Sequence, residues 1–228
     1  MLGPSQKIFI LASFAIFLAQ SLARAATGTG TGGASAQSSE QPPPPDYKTA
    51  LPQFGVELSY SPGTFSRSPT VSSSSVSVST FSAGLDYQPA IFQKYGVFGI
   101  GANGGLYILS PQGVLTSSLT DFYAVGGQLK YQARYFPDQV IVPFVGYELE
   151  YFHYQFLNAG AQSLTQTGPV LGLMVSLSKI DAEASNNFYK DYGVARMYVV
   201  LESHATTSGN GLLPLNPVGW FFGLRVEF

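Results

Sequence analysis

Apolar and polar side chains alternate along most of the chain after residue 51. In the stretch 54–60, the even positions carry Phe, Val, Leu and Tyr, and the odd positions carry Gly, Glu and Ser. A period of two places successive side chains on opposite faces of a β-strand. The pattern recurs in eight stretches, and the predicted strands are 54–60, 81–87, 95–109, 121–135, 142–156, 167–178, 195–204 and 219–228. No segment with a helical period is long enough to cover a sheet, so the pattern predicts an all-β protein.

The connections between the predicted strands differ in length. Those after the second and fourth strands, 88–94 and 136–141, are short. The connection after the sixth strand, 179–191, is expected to hold a helical turn around 182–187. The remaining connections are longer, rich in Ser, Thr, Gly, Asn and Pro, and poor in charge: 61–75, 110–118, 158–166 and 206–217. These long loops could bind a surface partner, but their composition offers no cluster of anchor residues and favours simple capping of the sheet ends.

The charged residues decide which face of the strands is inside. Charged residues make up 11% of the chain, compared with about 25% in typical soluble domains. In the middle of the predicted strands they all lie opposite the apolar face: Glu57, Asp86, Lys130, Arg134, Glu148, Glu150, Arg196, Glu202, Arg225 and Glu227. These charged residues are too few to cover the water-exposed surface of a soluble barrel.

An inverted arrangement accounts for both the shortage of charge and its position. If the apolar face meets lipid, a closed antiparallel barrel satisfies every backbone group and the polar residues line its interior. We therefore predict an eight-stranded antiparallel transmembrane β-barrel with an apolar outer face and a polar, charge-paired interior. Aromatic residues collect near the strand ends, as at membrane–water boundaries: Phe54, Tyr87, Tyr95, Tyr135 and Phe228 at one level, and Tyr60, Tyr123, Tyr151 and Trp220 at the other.

The predicted interior is narrow and nearly balanced in charge. Eight strands enclose a space that side chains just fill, and the six acidic and four basic residues can pair within it. Folding the fourth strand on the fifth would bring Lys130 near Glu148 and Glu150, and pairing the first strand with the eighth would bring Arg225 near Glu57. The register could shift by two residues. A plugged lumen is predicted, with a narrow channel for ions or small apolar solutes as the alternative.

The first 50 residues have a different composition. Residues 1–25 are typical of a secretory signal peptide, with Lys7, an apolar segment at 8–19 and an Ala-Arg-Ala cleavage site at 23–25. A single membrane anchor is the alternative. Residues 26–50 are rich in Gly, Ser and Pro, which predicts a disordered periplasmic tether. Residues 51–228 form the predicted barrel.

Composition also excludes several classes of protein. The chain has no cysteine, which rules out a disulfide framework and a lipid-modified N-terminal cysteine. A formal net charge of −2 and the lack of a basic patch give no reason to expect a nucleic-acid partner. The glycine-rich stretch 101–105 is not a phosphate-binding loop, because no helix follows it.

The end of the chain carries a recognisable pattern. Trp220, Phe222, Leu224, Val226 and Phe228 alternate with other residues up to the last position. With the signal peptide, the strand count and the unequal loops, this ending resembles the small eight-stranded outer-membrane barrels of Gram-negative bacteria, the class typified by the OmpA transmembrane domain, OmpX and OmpW. The resemblance implies that these alternating residues are the C-terminal signal for the barrel-assembly machinery. It also implies periplasmic N- and C-termini, long loops on the cell surface, and outer-membrane lipids and lipopolysaccharide as neighbours.

Catalytic chemistry has little support in the sequence. A lipid A-modifying enzyme would need a Ser nucleophile, a His base and an acidic residue close together on the outer face. His204 shares the predicted inner face with Glu202 and joins the interior charge network. His153 falls on the outer face beside Tyr151 and Gln155, without a Ser two residues away. Two histidines on opposite faces form no metal site, and no cofactor is expected. The sequence predicts a non-enzymatic barrel with a structural or surface-interaction role, with the lipid A-modifying enzyme as a second alternative.

Overall fold

The computed structural model describes residues 50–66, 75–93, 95–109, 119–136, 139–156, 160–205, 207–208 and 219–228. The predicted signal peptide and the predicted tether up to residue 49 lie outside the described residues.

The described strands form one closed antiparallel sheet. Their bounds are β1 Phe54–Ser66, β2 Ser75–Tyr87, β3 Val97–Leu109, β4 Leu119–Gln132, β5 Ile141–Phe156, β6 Gly160–Ser176, β7 Arg196–His204, β8 Thr207–Ser208 and β9 Gly219–Glu227. Sequential neighbours pair from β1 to β7, β7 pairs with β9, and β9 returns to β1. The two-residue β8 extends the sheet beside Gln166 and Thr167 of β6. Eight strands therefore close the barrel, and the predicted fold class of an all-β, eight-stranded antiparallel barrel is confirmed.

The two ends of the described barrel chain lie level with each other. The N–H of Phe228 donates to the carbonyl of Phe54 at 2.9 Å, and the N–H of Phe54 donates back at 3.2 Å. Glu57 is the register partner of Arg225. This closure confirms the predicted pairing of the first strand with the last. We call this end of the barrel, where β1 begins and β9 ends, the terminal end.

Three strands extend well beyond the bounds that their alternation indicated: β1, β6 and β2, which begins at Ser75 rather than at 81. β1 continues past Tyr60 to Ser66, with Pro62 opposite Ser79 of β2. Among the described residues, pairing of β1 with β9 stops at Tyr60, so the missing N–H of Pro62 interrupts no described ladder. β6 begins at Gly160, so most of the predicted loop 158–166 is strand. The positive φ of Gly160, +75°, allows a tight turn into β6.

One helix lies at the terminal end, between β6 and β7. It is α1, Ala182–Tyr192, and it is longer than the predicted turn at 182–187. The side chain of Asp181 accepts the N–H of Ala184 at its start, and Gly193 ends it with a φ of +73°. Short 3₁₀ turns lie at Ala90–Phe92 and Leu177–Lys179. No helix in the described part of the chain is long and apolar enough to cross a membrane.

The two faces of the barrel differ sharply in polarity. Exposed apolar and aromatic side chains come from all eight closing strands: Leu58, Tyr60, Tyr87, Phe98, Ile100, Tyr123, Val125, Leu129, Val145, Tyr147, Leu149, Tyr151, Leu171, Leu173, Val175, Val199, Trp220, Phe222 and Leu224. Buried charged side chains occupy the inside: Glu57, Asp86, Lys130, Arg134, Glu148, Glu202, Arg225 and Glu227. The polarity is the reverse of that of a soluble barrel.

The polar, charge-paired interior also contains two apolar clusters. One apolar cluster, which we call the inner aromatic cluster, lies away from the terminal end: Val78, Tyr107, Phe122, Ala124, Phe152, Tyr154 and Leu164. A second lies toward the terminal end: Val142, Phe144, Val170, Met174, Tyr198 and Val200. Charged residues therefore fill only part of the bore, and buried hydrocarbon fills much of the rest.

Candidate functional site

Arg225 is the centre of the charged interior. It is an inner-face residue of β9 and is fully buried. Its two terminal nitrogens bind both carboxylate oxygens of Asp86, Nη1–Oδ1 at 2.6 Å and Nη2–Oδ2 at 2.8 Å. Its Nε donates to Glu227 at 3.0 Å, and Nη1 also lies 3.3 Å from Glu57 Oε2. The predicted proximity of Arg225 to Glu57 is confirmed, and a forked pair of this kind is among the strongest charge-assisted contacts in proteins.

Glu227 links Arg225 to the rim of the terminal end. Its Oε2 accepts from Arg134 Nη1 at 2.8 Å, and its Oε1 accepts from Gln88 Nε2 at 3.1 Å. Gln88 Nε2 also lies 3.0 Å from Asp86 Oδ2. We call Asp86, Gln88, Arg134, Arg225 and Glu227 the basal cluster. Its connected hydrogen bonds occupy the bore where the first and last strands meet.

Lys130 contacts different carboxylates from those expected. Its Nζ lies 3.0 Å from Glu57 Oε2 and 3.7 Å from Glu202 Oε2, and 4.5 Å from the centre of the Phe144 ring. The predicted pairing with Glu148 and Glu150 is wrong. In the β4–β5 register Lys130 faces Gly146, while Gln128 faces Glu148. Because the bore is narrow, the long lysine side chain reaches across it to β1 and β7 rather than along its neighbouring strand.

His204 of β7 contacts carboxylates from two strands, β5 and β7. Its Nδ1 lies 2.7 Å from Glu148 Oε1, and its Nε2 lies 3.1 Å from Glu202 Oε1. Glu150 Oε1 accepts from Asn103 Nδ2 at 3.3 Å. These residues form a second layer of polar contacts above the basal cluster, and Glu57 touches both layers through Arg225 and Lys130.

A small cavity lies between this second layer and the inner aromatic cluster. Its volume is about 30 Å³, which gives room for about two water molecules. Four carboxylates line it, with His204 and polar side chains around them: Glu57, Glu148, Glu150, Glu202, Ser59, Thr80, Ser82, Asn103 and Gln128. Beyond the cavity, Tyr107 stacks on Phe122 at 4.5 Å between ring centres and contacts Phe152 at 5.4 Å.

The remaining predicted inner residues also lie on the inner face. Glu150, Arg196 and His204 are half-buried there. Arg196 is the register partner of Glu227, and its Nη2 donates to the carbonyl of Ala50 at 3.3 Å. All residues of the predicted charge network thus share one lumen, where they form two connected layers.

The alternating residues of the last strand lie on the opposite face. Trp220, Phe222 and Leu224 are exposed on the outside of β9, and Val226 and Phe228 are half-buried. Val226 is the register partner of Val56 in β1 and of Met197 in β7. The predicted assembly signal is therefore an apolar stripe on the outer surface beside the closing seam.

His153 has two neighbours that its position along the chain does not reveal. Its ring stacks on Tyr123 at 5.0 Å between ring centres, and Ser163 of β6 is its register partner. Ser163 is far from His153 along the chain, and the β5–β6 hairpin brings the two residues together. Among the described residues, no group of three or more His, Asp or Glu side chains is arranged to hold a metal ion.

The inner aromatic residues were also missed, although the sequence contains a sign of them. Phe152 and Tyr154 are in phase with Glu148 and Glu150, on the polar side of the alternation. The β5 pattern therefore switches from charged to aromatic on the same inner face. The aromatic end of this strand indicates where the lumen becomes apolar.

The solved structures that are similar to this chain in fold include the following two. The crystal structure of Neisserial surface protein A (NspA) is 16% identical, with a TM-score of 0.46, and the match covers 77% of this chain and 97% of that one. The crystal structure of Ail, the attachment invasion locus protein of Yersinia pestis, is 10% identical, with a TM-score of 0.42, and the match covers 78% of this chain and 100% of that one. No protein-family model matches the chain, and no curated protein matches it.

Proposed function

We propose that this chain is an integral outer-membrane β-barrel with a structural or surface-interaction role and a plugged lumen. The observation that carries the proposal is the inverted polarity, with exposed apolar side chains on all eight closing strands and buried charges within. Such a surface would be a large apolar patch in water, whereas it matches the hydrocarbon of a bilayer. Closure of β9 on β1 leaves the paired part of the barrel without an edge, as a membrane requires.

Strand length supports a role on the cell surface. β5 and β6 contain 16 and 17 residues, whereas about 9–11 tilted residues cross a bilayer. The outer face of β6 also changes along its length, from Leu171 and Leu173 to Ser163 and Thr165. The β5–β6 hairpin would therefore project beyond the lipid into water, where it offers a rigid surface to a partner.

The proposed orientation places both termini in the periplasm. Phe54 and Phe228 lie together at the terminal end, and the projecting β5–β6 hairpin lies at the opposite end. Outer-membrane lipids and lipopolysaccharide would then surround the apolar face. The stripe of Trp220, Phe222 and Leu224 beside the seam would contact the barrel-assembly machinery during insertion.

The filled bore supports a plugged lumen. The basal cluster, Lys130 with its two carboxylates, and the inner aromatic cluster succeed one another along the axis, with a cavity of about 30 Å³ between them. A narrow cation path is the second candidate, because four carboxylates line that cavity. We call the exposed apolar side chains of the closing strands the apolar belt. We propose no catalytic role, since His153 stacks on Tyr123 and would lie at the edge of this belt, where polar aromatic side chains are common.

Two measurements test the proposed function. The protein should be recovered with the outer membrane and should change its gel mobility after boiling, because a closed barrel stays folded in the gel detergent until the sample is heated. Recovery in the soluble periplasmic fraction with unchanged mobility would refute the barrel's membrane location. In planar bilayers the protein should show only rare, small openings, and a steady conductance would favour the cation path instead.

A further inference from the structure

We propose that α1 is an interfacial helix that inserts Phe188 and Tyr192 into the lipid headgroup boundary at the terminal end of the barrel. This inference rests on the proposed function, because it requires the barrel to be in a bilayer. It adds a second membrane contact, made by a helix that lies along the bilayer surface without spanning the bilayer. The aromatic face of α1 then contacts the lipid that surrounds the barrel.

The first observation is the polarity of the helix. Phe188 and Tyr192 are four residues apart, with 5.9 Å between their ring centres, and residues at this spacing share a helix face. Their side chains are 42% and 61% exposed. Glu183, Asn187 and Lys190 lie around the other side, and Asp191, three residues from Phe188, lies between the two sides; all four are exposed. An apolar edge and a charged edge along one short helix are typical of segments that lie in a membrane interface.

The second observation is the way the helix is attached. Ser185 Oγ donates to the carbonyl of Asp181 at 2.8 Å and lies 3.3 Å from the carbonyl of Ser178. Ser178 Oγ in turn accepts the N–H of Met197 in β7 at 2.9 Å. Both serines are buried. Ser185 therefore ties α1 to the 3₁₀ turn at Leu177–Lys179, and Ser178 ties that turn to β7. These hydrogen bonds use serine side chains and leave the rings of Phe188 and Tyr192 exposed.

The third observation is that the aromatic face of α1 continues a ring of exposed apolar groups. The other two connections at the terminal end present Ile91 and Tyr95, and Tyr135 and Phe136. Ile180, just before α1, is 71% exposed. Each connection at this end thus carries large apolar side chains next to the apolar belt of the strands. Aromatic side chains at this level are favoured where hydrocarbon meets headgroups.

The charges on α1 indicate which lipid it would contact. Glu183 and Asp191 outweigh Lys190 on the helix, and Asp181 caps its start. An anionic surface would therefore gain nothing by attraction. We infer that insertion depends on the aromatic side chains and that zwitterionic headgroups are sufficient.

Tryptophan fluorescence tests this inference, because Trp220 is the only tryptophan of the chain and lies on the outer face of β9. The full chain is inserted into phosphatidylcholine vesicles whose acyl chains carry bromine at shallow or deep positions. Native Trp220 reports on the barrel. The test variant combines Trp220→Phe with Phe188→Trp, and the matched control combines Trp220→Phe with Asn187→Trp on the polar side.

We expect shallow bromine to quench the tryptophan at position 188 about twofold or more above the one at 187, with a blue-shifted emission at 188. Raising the salt concentration should leave this quenching unchanged. The boiling-dependent gel shift shows that each variant is folded. If Phe188→Trp does not fold, Tyr192→Trp on the same face replaces it.

The outcomes separate the two proposals. Quenching of native Trp220 without quenching at position 188 overturns the interfacial helix and leaves the barrel in the membrane. A blue-shifted but unquenched tryptophan at 188 also overturns it, since protein, in a second copy or another partner, would then cover the face. Loss of quenching at high salt contradicts aromatic insertion. If Trp220 itself is not quenched, the proposed membrane location fails first.

Discussion

Arg225 of β9 and Asp86 of β2 form a forked ion pair although β1 lies between their strands. The two side chains meet inside the barrel beneath Gly55 of β1, where an added Cβ would overlap the guanidinium group. The pair therefore joins three consecutive strands at the point where the first and last strands close. It is also the link between Glu227 in the basal cluster and Glu57 in the second layer.

Removing the central guanidinium should destabilise the barrel. Arg225→Ala leaves Asp86 buried without its forked partner and leaves Glu227 with Arg134 as its remaining ion pair. The loss of one member of a buried pair costs about 3–5 kcal/mol. Urea unfolding in vesicles, followed by the boiling-dependent gel shift, measures the change. Arg225→Lys should fall between Arg225→Ala and the native protein, because lysine keeps the charge but not the fork. Equal stability of Arg225→Ala and the native protein would contradict the structural role of the basal cluster.

A single methyl group at Gly55 should have a related effect. Gly55→Ala places a Cβ against the Arg225 guanidinium and near Asp86, and overpacking of this kind costs about 1–3 kcal/mol. Gly127→Ala is the matched control, since its Cβ would meet only the Gly101 carbonyl oxygen at 3.6 Å. The same unfolding measurement compares the two variants. If the two variants prove equally stable, the Arg225 guanidinium does not require the space left by the missing Cβ of Gly55.

The strands and their faces could be predicted because one rule, apolar side chains outside and charged side chains inside, applies to every strand of the closed barrel. Leu173 and Val199 were predicted on the outer face, where they are exposed. Glu57 and Arg225 were predicted on the inner face, where they are buried. Register across the closing seam also followed, since the terminal residue aligns with the first strand. The strand ends were less predictable, because Gly160 begins β6 in a stretch that resembles a loop in composition.

The partners of individual charges could not be predicted from neighbouring strands. Lys130 contacts Glu57 and Glu202, which belong to strands that are distant from β4 around the barrel. In a narrow bore, a long side chain is as close to the opposite wall as to the adjacent strand. The aromatic filling around Phe152 was missed for a related reason, since its phase matched the polar face while its chemistry matched the outer one.

A charge introduced into the apolar belt should lower the free energy of unfolding by an amount that depends on its depth in the bilayer. Leu173→Arg introduces a cation on the exposed outer face of β6, and arginine near the bilayer midplane costs about 2–4 kcal/mol. Ser163→Arg changes the same face of the same strand ten residues nearer the β5–β6 turn, where the proposed position is above the hydrocarbon and the expected cost is below about 1 kcal/mol. Unfolding in vesicles compares the two. Similar costs at both positions would show that the belt does not end between them.

Phe152 should help to close the bore on the side away from the terminal end. It is fully buried, and its ring lies 5.4 Å from Tyr107 and 6.0 Å from Phe122. Phe152→Ala removes the ring that packs against the stacked rings of Tyr107 and Phe122, and this should open a passage toward the cavity lined by Glu148 and Glu202. In planar bilayers we expect more frequent openings than in the native protein, with preference for cations because carboxylates line the path.

The neighbouring residue provides the control for this last experiment. Tyr151→Ala removes an aromatic ring of similar size from the exposed outer face of the same strand, so it should leave conductance unchanged. Both variants must first show the boiling-dependent gel shift, because deletion of a buried phenylalanine side chain costs about 3–5 kcal/mol. A folded Phe152→Ala barrel that conducts no more than the native protein would mean that the charged layers alone seal the lumen. If conductance rises equally in both variants, the openings arise from disturbance of the barrel wall and not from loss of the Phe152 ring.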